Sequence, residues 1–248
     1  MLSANYLVAS SVSLGLLLGK GGGIPSPSPV TLIGVPAGVL YFLGFYFYQR
    51  SAREAGVSLA GSFAKLGILV PMTLSILLWR DLPDGIQWAG MAMALAAVLV
   101  VSRGPRKGEG TVGFRPVLML LLLCGGTSEF TNKLFQHYGR MPEKEVFLLF
   151  VFSVALAVSL WKLVRSGRKP LGREVLLGLA VGVPNYFASW FLIHALDLRP
   201  ASLVFPVYSA GSIALICLGG ALLYGERLGF REWIAVALTG TSLTLVSL

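Results

Sequence analysis

The sequence predicts an all-α, polytopic helical membrane protein of about nine transmembrane helices arranged as an inverted-topology repeat. Three observations carry that reading. Of 248 residues, 55% are apolar and only 12% charged, about half the charged share of a soluble domain. Apolar runs of about 17 to 25 residues recur from end to end between short polar breaks, each long enough to cross a hydrocarbon core of about 30 Å. The chain also aligns with itself at an offset near 144 residues. Nine spans of about 20 residues need about 180 residues, which leaves room for short loops but not for a sizeable soluble domain.

The apolar segments fall at about 2–19, 30–48, 56–79, 86–102, 116–136, 146–164, 174–196, 200–224 and 230–248. The first has no basic stretch before it, and Lys20 follows it instead. It therefore reads as a retained span rather than a cleaved signal peptide. The breaks use turn chemistry, as in Gly21-Gly22-Gly23-Ile24-Pro25, Leu82-Pro83-Asp84-Gly85, Gly104-Pro105-Arg106 and Asp197-Leu198-Arg199-Pro200. No run alternates as a barrel strand would. Cys124 and Cys217 lie inside apolar runs, where a thiol acts as a small hydrophobe and supplies neither a metal site nor a disulfide framework.

The formal net charge is +9, and its distribution reads as orientation rather than as a nucleic-acid surface. Loops after the second, fourth, sixth and eighth segments hold thirteen Lys and Arg (Arg50, Arg53, Arg103, Arg106, Lys107, Arg115, Lys162, Arg165, Arg168, Lys169, Arg173, Arg227 and Arg231). The opposite loops hold five (Lys20, Arg80, Arg140, Lys144 and Arg199). Because cytoplasmic loops are enriched in Lys and Arg, a cytoplasmic N-terminus and an outside C-terminus are expected.

At an offset of 144, Gly34 aligns with Gly178, Gly38 with Gly182, Val39 with Val183, Phe47 with Phe191, Ser58 with Ser202 and Leu59 with Leu203. One further residue of shift aligns Asp81 with Glu226, Trp88 with Trp233 and Ser102 with Ser247. Segments two to four thus repeat as seven to nine, five spans on. An odd separation makes the copies cross the membrane in opposite directions, the inverted repeat of many secondary transporters. The expected organisation is a first repeat at 1–105 of four helices, a basic loop at 106–115 and a second repeat of five helices at 116–248. The first repeat is one helix short, and a homodimer partner is one way to supply the missing helix face.

Tyr224-Gly225-Glu226-Arg227-Leu228 followed by Trp233, its weaker copy Trp79-Arg80-Asp81-Leu82 followed by Trp88, and Gly125-Gly126-Thr127-Ser128 with Lys133 resemble the signatures of the drug/metabolite transporter superfamily in its EamA-like branch. The resemblance covers about residues 30–248. It implies a ten-helix fold, here lacking the first helix, in which each half has five helices. It also implies export or exchange of amino acids or related metabolites in the inner membrane, with proton coupling as an option. The motifs place the chain at superfamily level only.

Several polar residues stand inside the apolar segments, where each needs a reason. Glu129 is the one carboxylate well inside a span; with Lys133 it forms an i, i+4 pair, and Asn132 adds to the most polar segment of the chain. The pair is either a proton or substrate site or a structural ion pair near the interface. Lys65 lies about nine residues, roughly 14 Å, into its segment, close to the midplane. Its repeat mate is Ser209. A carboxylate contact is expected of Lys65, or neutralisation of Glu129. In the seventh segment Pro184 frees a carbonyl beside Asn185, followed by Tyr186 and Trp190; with Tyr208, Tyr41 and Tyr46 these aromatics line a pocket or simply pack. His137 and His194 stand near span ends and read as solvated. The Gly-x-x-x-Gly pairs read as close helix contacts, and Asp81 and Glu226 as capping groups. No cofactor is expected. No phosphate-binding loop, metal-spaced cluster or nucleophile elbow occurs, which argues against an ATP-driven pump or an enzyme. The expected partners are a small-molecule substrate and the lipid bilayer. A lipid-linked sugar flippase and a non-transporting scaffold are the alternative readings.

Overall fold

The computed structural model describes residues 1–20, 29–82, 84–102, 116–167, 171–224 and 230–247. These form ten α-helices: α1 Leu2–Gly19, α2 Pro29–Ala55, α3 Val57–Leu66, α4 Leu69–Trp79, α5 Gly85–Ser102, α6 Pro116–Tyr138, α7 Lys144–Ser166, α8 Gly172–Leu198, α9 Ala201–Tyr224 and α10 Phe230–Ser247. A 3-10 turn, Met141–Glu143, leads into α7. Among the described residues, four helical stretches are long and apolar enough to cross a membrane: Leu2–Gly19, Leu32–Ala55, Met141–Ser166 and Gly172–Leu198. Four others are shorter and apolar. Large aliphatic side chains such as Leu77, Leu176, Leu215 and Leu222 point outward, as lipid-facing residues do.

One expected helix is two. The third segment breaks after Leu66, because Pro71 has no N–H to give the carbonyl of Gly67 and its ring crowds that carbonyl. The chain tightens locally instead: Val70 N–H donates to Gly67 O at 3.0 Å, and Ile68 N–H to Lys65 O at 3.4 Å. Lys65 therefore stands in the last turn of α3, beside the joint, rather than within one long helix.

The helices divide into two compact units, each drawing on both halves of the chain. The first comprises Met1–Tyr46 and Thr127–Leu198, the second Phe47–Gly126 and Arg199–Leu248. In the first, Tyr6, Phe42, Phe135, Phe147, Phe152 and Tyr186 fill a buried core. The glycine pairs seat the helices there. A methyl carbon built on Gly34 would lie 2.9 Å from Phe150 Cβ, and one on Gly38 would lie 2.5 Å from Val151 O and 2.7 Å from Val154 Cβ. Their repeat mates do the same on α1: Gly178 meets Met1 and Ala4, and Gly182 meets Asn5 and Val8. Adding 146 to Met1, Ala4, Asn5 and Val8 gives Phe147, Phe150, Val151 and Val154. Each glycine pair thus rests on a helix of the other repeat, α7 or α1, in the same register.

In the second unit α5 packs along α10 and α4 against α9. Small residues make this close: Ala94, Ala97, Ala210 and Ala235 share one buried cluster. Ser242 Oγ donates to Gly90 O at 2.7 Å. The repeat mates of that pair at offset 145 are Ala97 and Ala235, both in the same cluster. Asp81 caps α9, accepting the Ala201 N–H at 2.7 Å. The Glu226 motif and the basic loop at 106–115 lie outside the described residues.

Candidate functional site

The first unit concentrates polar groups along one face of α8. Residues 185, 186, 189, 190 and 194 recur at three- and four-residue spacing, so their side chains stack on a common side. Apolar surroundings make each polar atom there expensive unless it finds a partner.

Tyr41 of α2 is the link between helices. Its Oη accepts a hydrogen bond from Asn132 Nδ2 of α6 at 2.9 Å and lies 3.1 Å from Ser189 Oγ of α8. Asn132 Nδ2 also reaches Glu129 Oε2 at 3.3 Å. Tyr6 Oη donates to the Tyr41 backbone carbonyl at 2.9 Å, so α1 fixes the turn of α2 that carries the link. Asn132 and Ser189 are buried and Glu129 is half-buried. Lys133, also buried, donates to Gln136 Oε1 at 2.9 Å. The chain of contacts leads from a carboxylate to the unit's interior, which is what a route for a proton or a seat for a polar ligand needs.

Next to it, Asn185 Nδ2 donates to Asn5 Oδ1 at 3.3 Å. Asn5 Nδ2 is buried without a hydrogen-bond partner, and the buried Tyr186 Oη faces Ser13. A polar group held without a partner in an apolar setting marks this face as more than packing.

A second cluster sits where α7 begins. Glu145 is only 1% exposed. Its Oε1 accepts from Lys20 Nζ at 2.7 Å and from Trp190 Nε1 at 3.3 Å, and its main-chain carbonyl accepts from Ser13 Oγ at 2.8 Å. Its Oε2 is buried without a partner. Trp190 also carries the Lys144 ammonium over its ring, 4.1 Å from the centroid, and packs on His194 with centroids 4.3 Å apart. His194 is thus half-buried against charged and aromatic neighbours rather than solvated at a span end, because Lys144 and Trp190 close over it. Glu129 is likewise not the one deep carboxylate: Glu145, just outside the apolar run 146–164, is the more buried, since α1 brings Lys20 over it.

In the second unit, Lys65 Nζ donates to Ser212 Oγ, and Ser212 Oγ donates to Ser209 O at 2.8 Å. Lys65 therefore meets α9 one turn beyond its repeat mate. Ser209 Oγ is buried and unpartnered, while Tyr208 is partly exposed. Of the residues singled out from the sequence, Glu129, Asn132, Asn185, Tyr186 and Trp190 come together with Tyr41 in the first unit, where Lys133 turns to Gln136; Lys65, Tyr208 and Ser209 lie in the second. Asn5, Lys20, Lys144, Glu145 and Ser189 were missed. Among the described residues, no group of three or more His, Cys, Asp or Glu could hold a metal ion.

Long apolar helices, a broken helix beside a lysine and polar clusters buried in apolar units define a multi-pass membrane protein. Residues 1–103 match the model of the EamA-like transporter family, which bears out the resemblance to the drug/metabolite transporter superfamily and points to a membrane transporter of small molecules. A crystal structure of a protein that is 21% identical covers 99% of this chain and is itself covered over 85%, with a TM-score of 0.75; it shows the helical fold. An uncharacterized protein of Haemophilus influenzae is 24% identical over 196 residues, spanning 77% of this chain and 67% of that one.

Proposed function

We propose that the protein is a secondary transporter of the inner membrane that exports or exchanges a small organic metabolite, amino-acid-like or related, by alternating access. The observation that carries this reading is the Glu129–Asn132–Tyr41–Ser189 chain of hydrogen bonds, which joins α6, α2 and α8 through apolar surroundings. Polar groups at membrane depth are costly, and those that persist mark substrate and ion pathways. Glu129 is the group that exchanges a proton as ligand comes and goes, Asn132 and Asn185 hold polar atoms of the substrate, and Tyr186 and Trp190 hold its apolar part. In the second unit, taken by itself, Lys65 beside the joint between α3 and α4 is suited to contact a carboxylate. The EamA-like match over residues 1–103 supports a transporter over an enzyme.

The test is thermal unfolding of the purified protein against amino acids, sugars, nucleotides and lipophilic cations. A ligand that binds only the folded state raises its stability by mass action. One chemical class is expected to stabilise the wild type and to lose its effect in Asn132→Ala, after which flux in liposomes follows with that compound. Stabilisation by a lipid-linked sugar instead would make the protein a flippase, and no response from any class would leave the scaffold reading standing.

A further inference from the structure

Lys144 is 6% exposed, yet among the described residues no carboxylate oxygen lies within 4.0 Å of its Nζ. Its contacts are neutral: His194 Nε2 at 3.0 Å and the face of the Trp190 ring at 4.1 Å from the centroid. The carboxylate beside it in sequence, Glu145, is taken by Lys20 at 2.7 Å and by Trp190 Nε1. Asp197 stands exposed near the end of α8. The charges acting on this spot are two ammoniums, Lys20 and Lys144, and two carboxylates, Glu145 and the more distant Asp197, yet neither carboxylate touches the Lys144 ammonium. Burying an ammonium without a carboxylate in direct contact is costly. An ammonium also has three N–H donors, and His194 accepts only one.

We infer that Lys144, oriented by His194 and backed by Trp190, is a binding site for one singly charged oxyanion. The chemistry fits a carboxylate, whose oxygen would take the free N–H of Lys144 while an attached apolar or aromatic group lies against Trp190. The phosphate of an anionic lipid headgroup offers the same oxygen to the same donor. The site shares Trp190 with the substrate face proposed above but does not rest on transport, and it is tested by binding alone, without flux.

The experiment uses the full chain in nanodiscs of phosphatidylcholine, which is zwitterionic, with benzoate as the carboxylate probe and neutral benzamide as its control. Thermal unfolding is followed in wild type, Lys144→Gln and Lys144→Arg. In parallel, native mass spectrometry follows retention of phosphatidylglycerol by the same three proteins. Benzoate is expected to stabilise wild type and Lys144→Arg, with an apparent affinity about tenfold weaker in Lys144→Gln, a loss of about one charge-assisted hydrogen bond. If benzoate has no effect but phosphatidylglycerol is held by wild type and lost from Lys144→Gln, the anion is a lipid headgroup and the site stands. If benzamide works as well as benzoate, or if neither ligand separates wild type from Lys144→Gln, the site is overturned. Should Lys144→Gln not fold, His194→Gln takes its place under the same criteria, since it removes the acceptor that orients the ammonium.

Discussion

Gly38 and Val151 approach so closely that a single methyl group on the glycine would fall 2.5 Å from the Val151 carbonyl oxygen. The same holds between Gly182 and Val8, whose Cβ would be met at 2.5 Å. Backbone on one side of each contact leaves nothing that can rotate away. Gly38→Ala and Gly182→Ala should each therefore destabilise the protein by about 1–3 kcal/mol, the usual cost of overpacking. Gly211→Ala, with no atom within 4 Å of the added carbon, should leave the unfolding temperature in detergent unchanged. Equal melting of all three would remove the glycine seats from the account of the fold.

Tyr41 joins three helices through one hydroxyl. Tyr41→Phe takes the Tyr41 partner from Ser189 and leaves Asn132 with Glu129 alone, and should cost about 1–3 kcal/mol, the penalty of an unsatisfied buried polar group. Ser189→Ala should cost less, and the double variant less than the sum, as residues in one network couple. Thermal unfolding of the four proteins in one detergent measures the cycle; strict additivity would contradict the network.

The Lys20–Glu145 pair is lopsided. The lysine side chain is 59% exposed and the glutamate 1%. Glu145→Gln leaves a lysine that water can solvate, at a cost of about 1 kcal/mol. Lys20→Met leaves a buried carboxylate without its ammonium and should cost about 3 kcal/mol, the lower end of the range for breaking a buried pair. Denaturation of both variants in matched detergent decides the order, and a milder Lys20→Met would contradict this electrostatic account.

Glu129→Gln cannot release a proton. With the compound identified by thermal shift, this variant in liposomes should lose transport driven by a pH gradient while retaining exchange of labelled for unlabelled compound. Retention of gradient-driven transport would move the proton step to another residue.

Apolar runs placed nearly every helix to within a few residues, because lipid demands length and hydrophobicity at once. The glycine pairs were equally plain, since spacing by four puts both residues on one helical face. The joint between α3 and α4 was not read, although its signal was present: Pro71 follows Gly67 by four residues, the distance at which a missing N–H breaks a helical bond. Glu145 was passed over for a different reason. It stands one residue outside an apolar run and beside a lysine, so locally it resembles an ordinary loop charge. Its burial comes from Lys20, 125 residues away, and from Trp190, 45 residues away, contacts that no window along the chain contains. Tyr41 was noticed as an aromatic, but its role as a link depends on where three helices meet.

The matched seats of Gly34 and Gly38 on α7, and of Gly178 and Gly182 on α1, govern how the gene can drift. Backbone or a Cβ atom stands where an added methyl would go, so no side-chain rotation relieves the clash and each glycine is narrowly constrained. The outward Leu and Val positions around them carry no such constraint and can exchange among hydrophobic residues. A map of tolerance to every single substitution would therefore show the same short barcode twice, 144 residues apart at the glycines. The ancestral duplication would be legible in it even after the rest of the two copies had ceased to look alike.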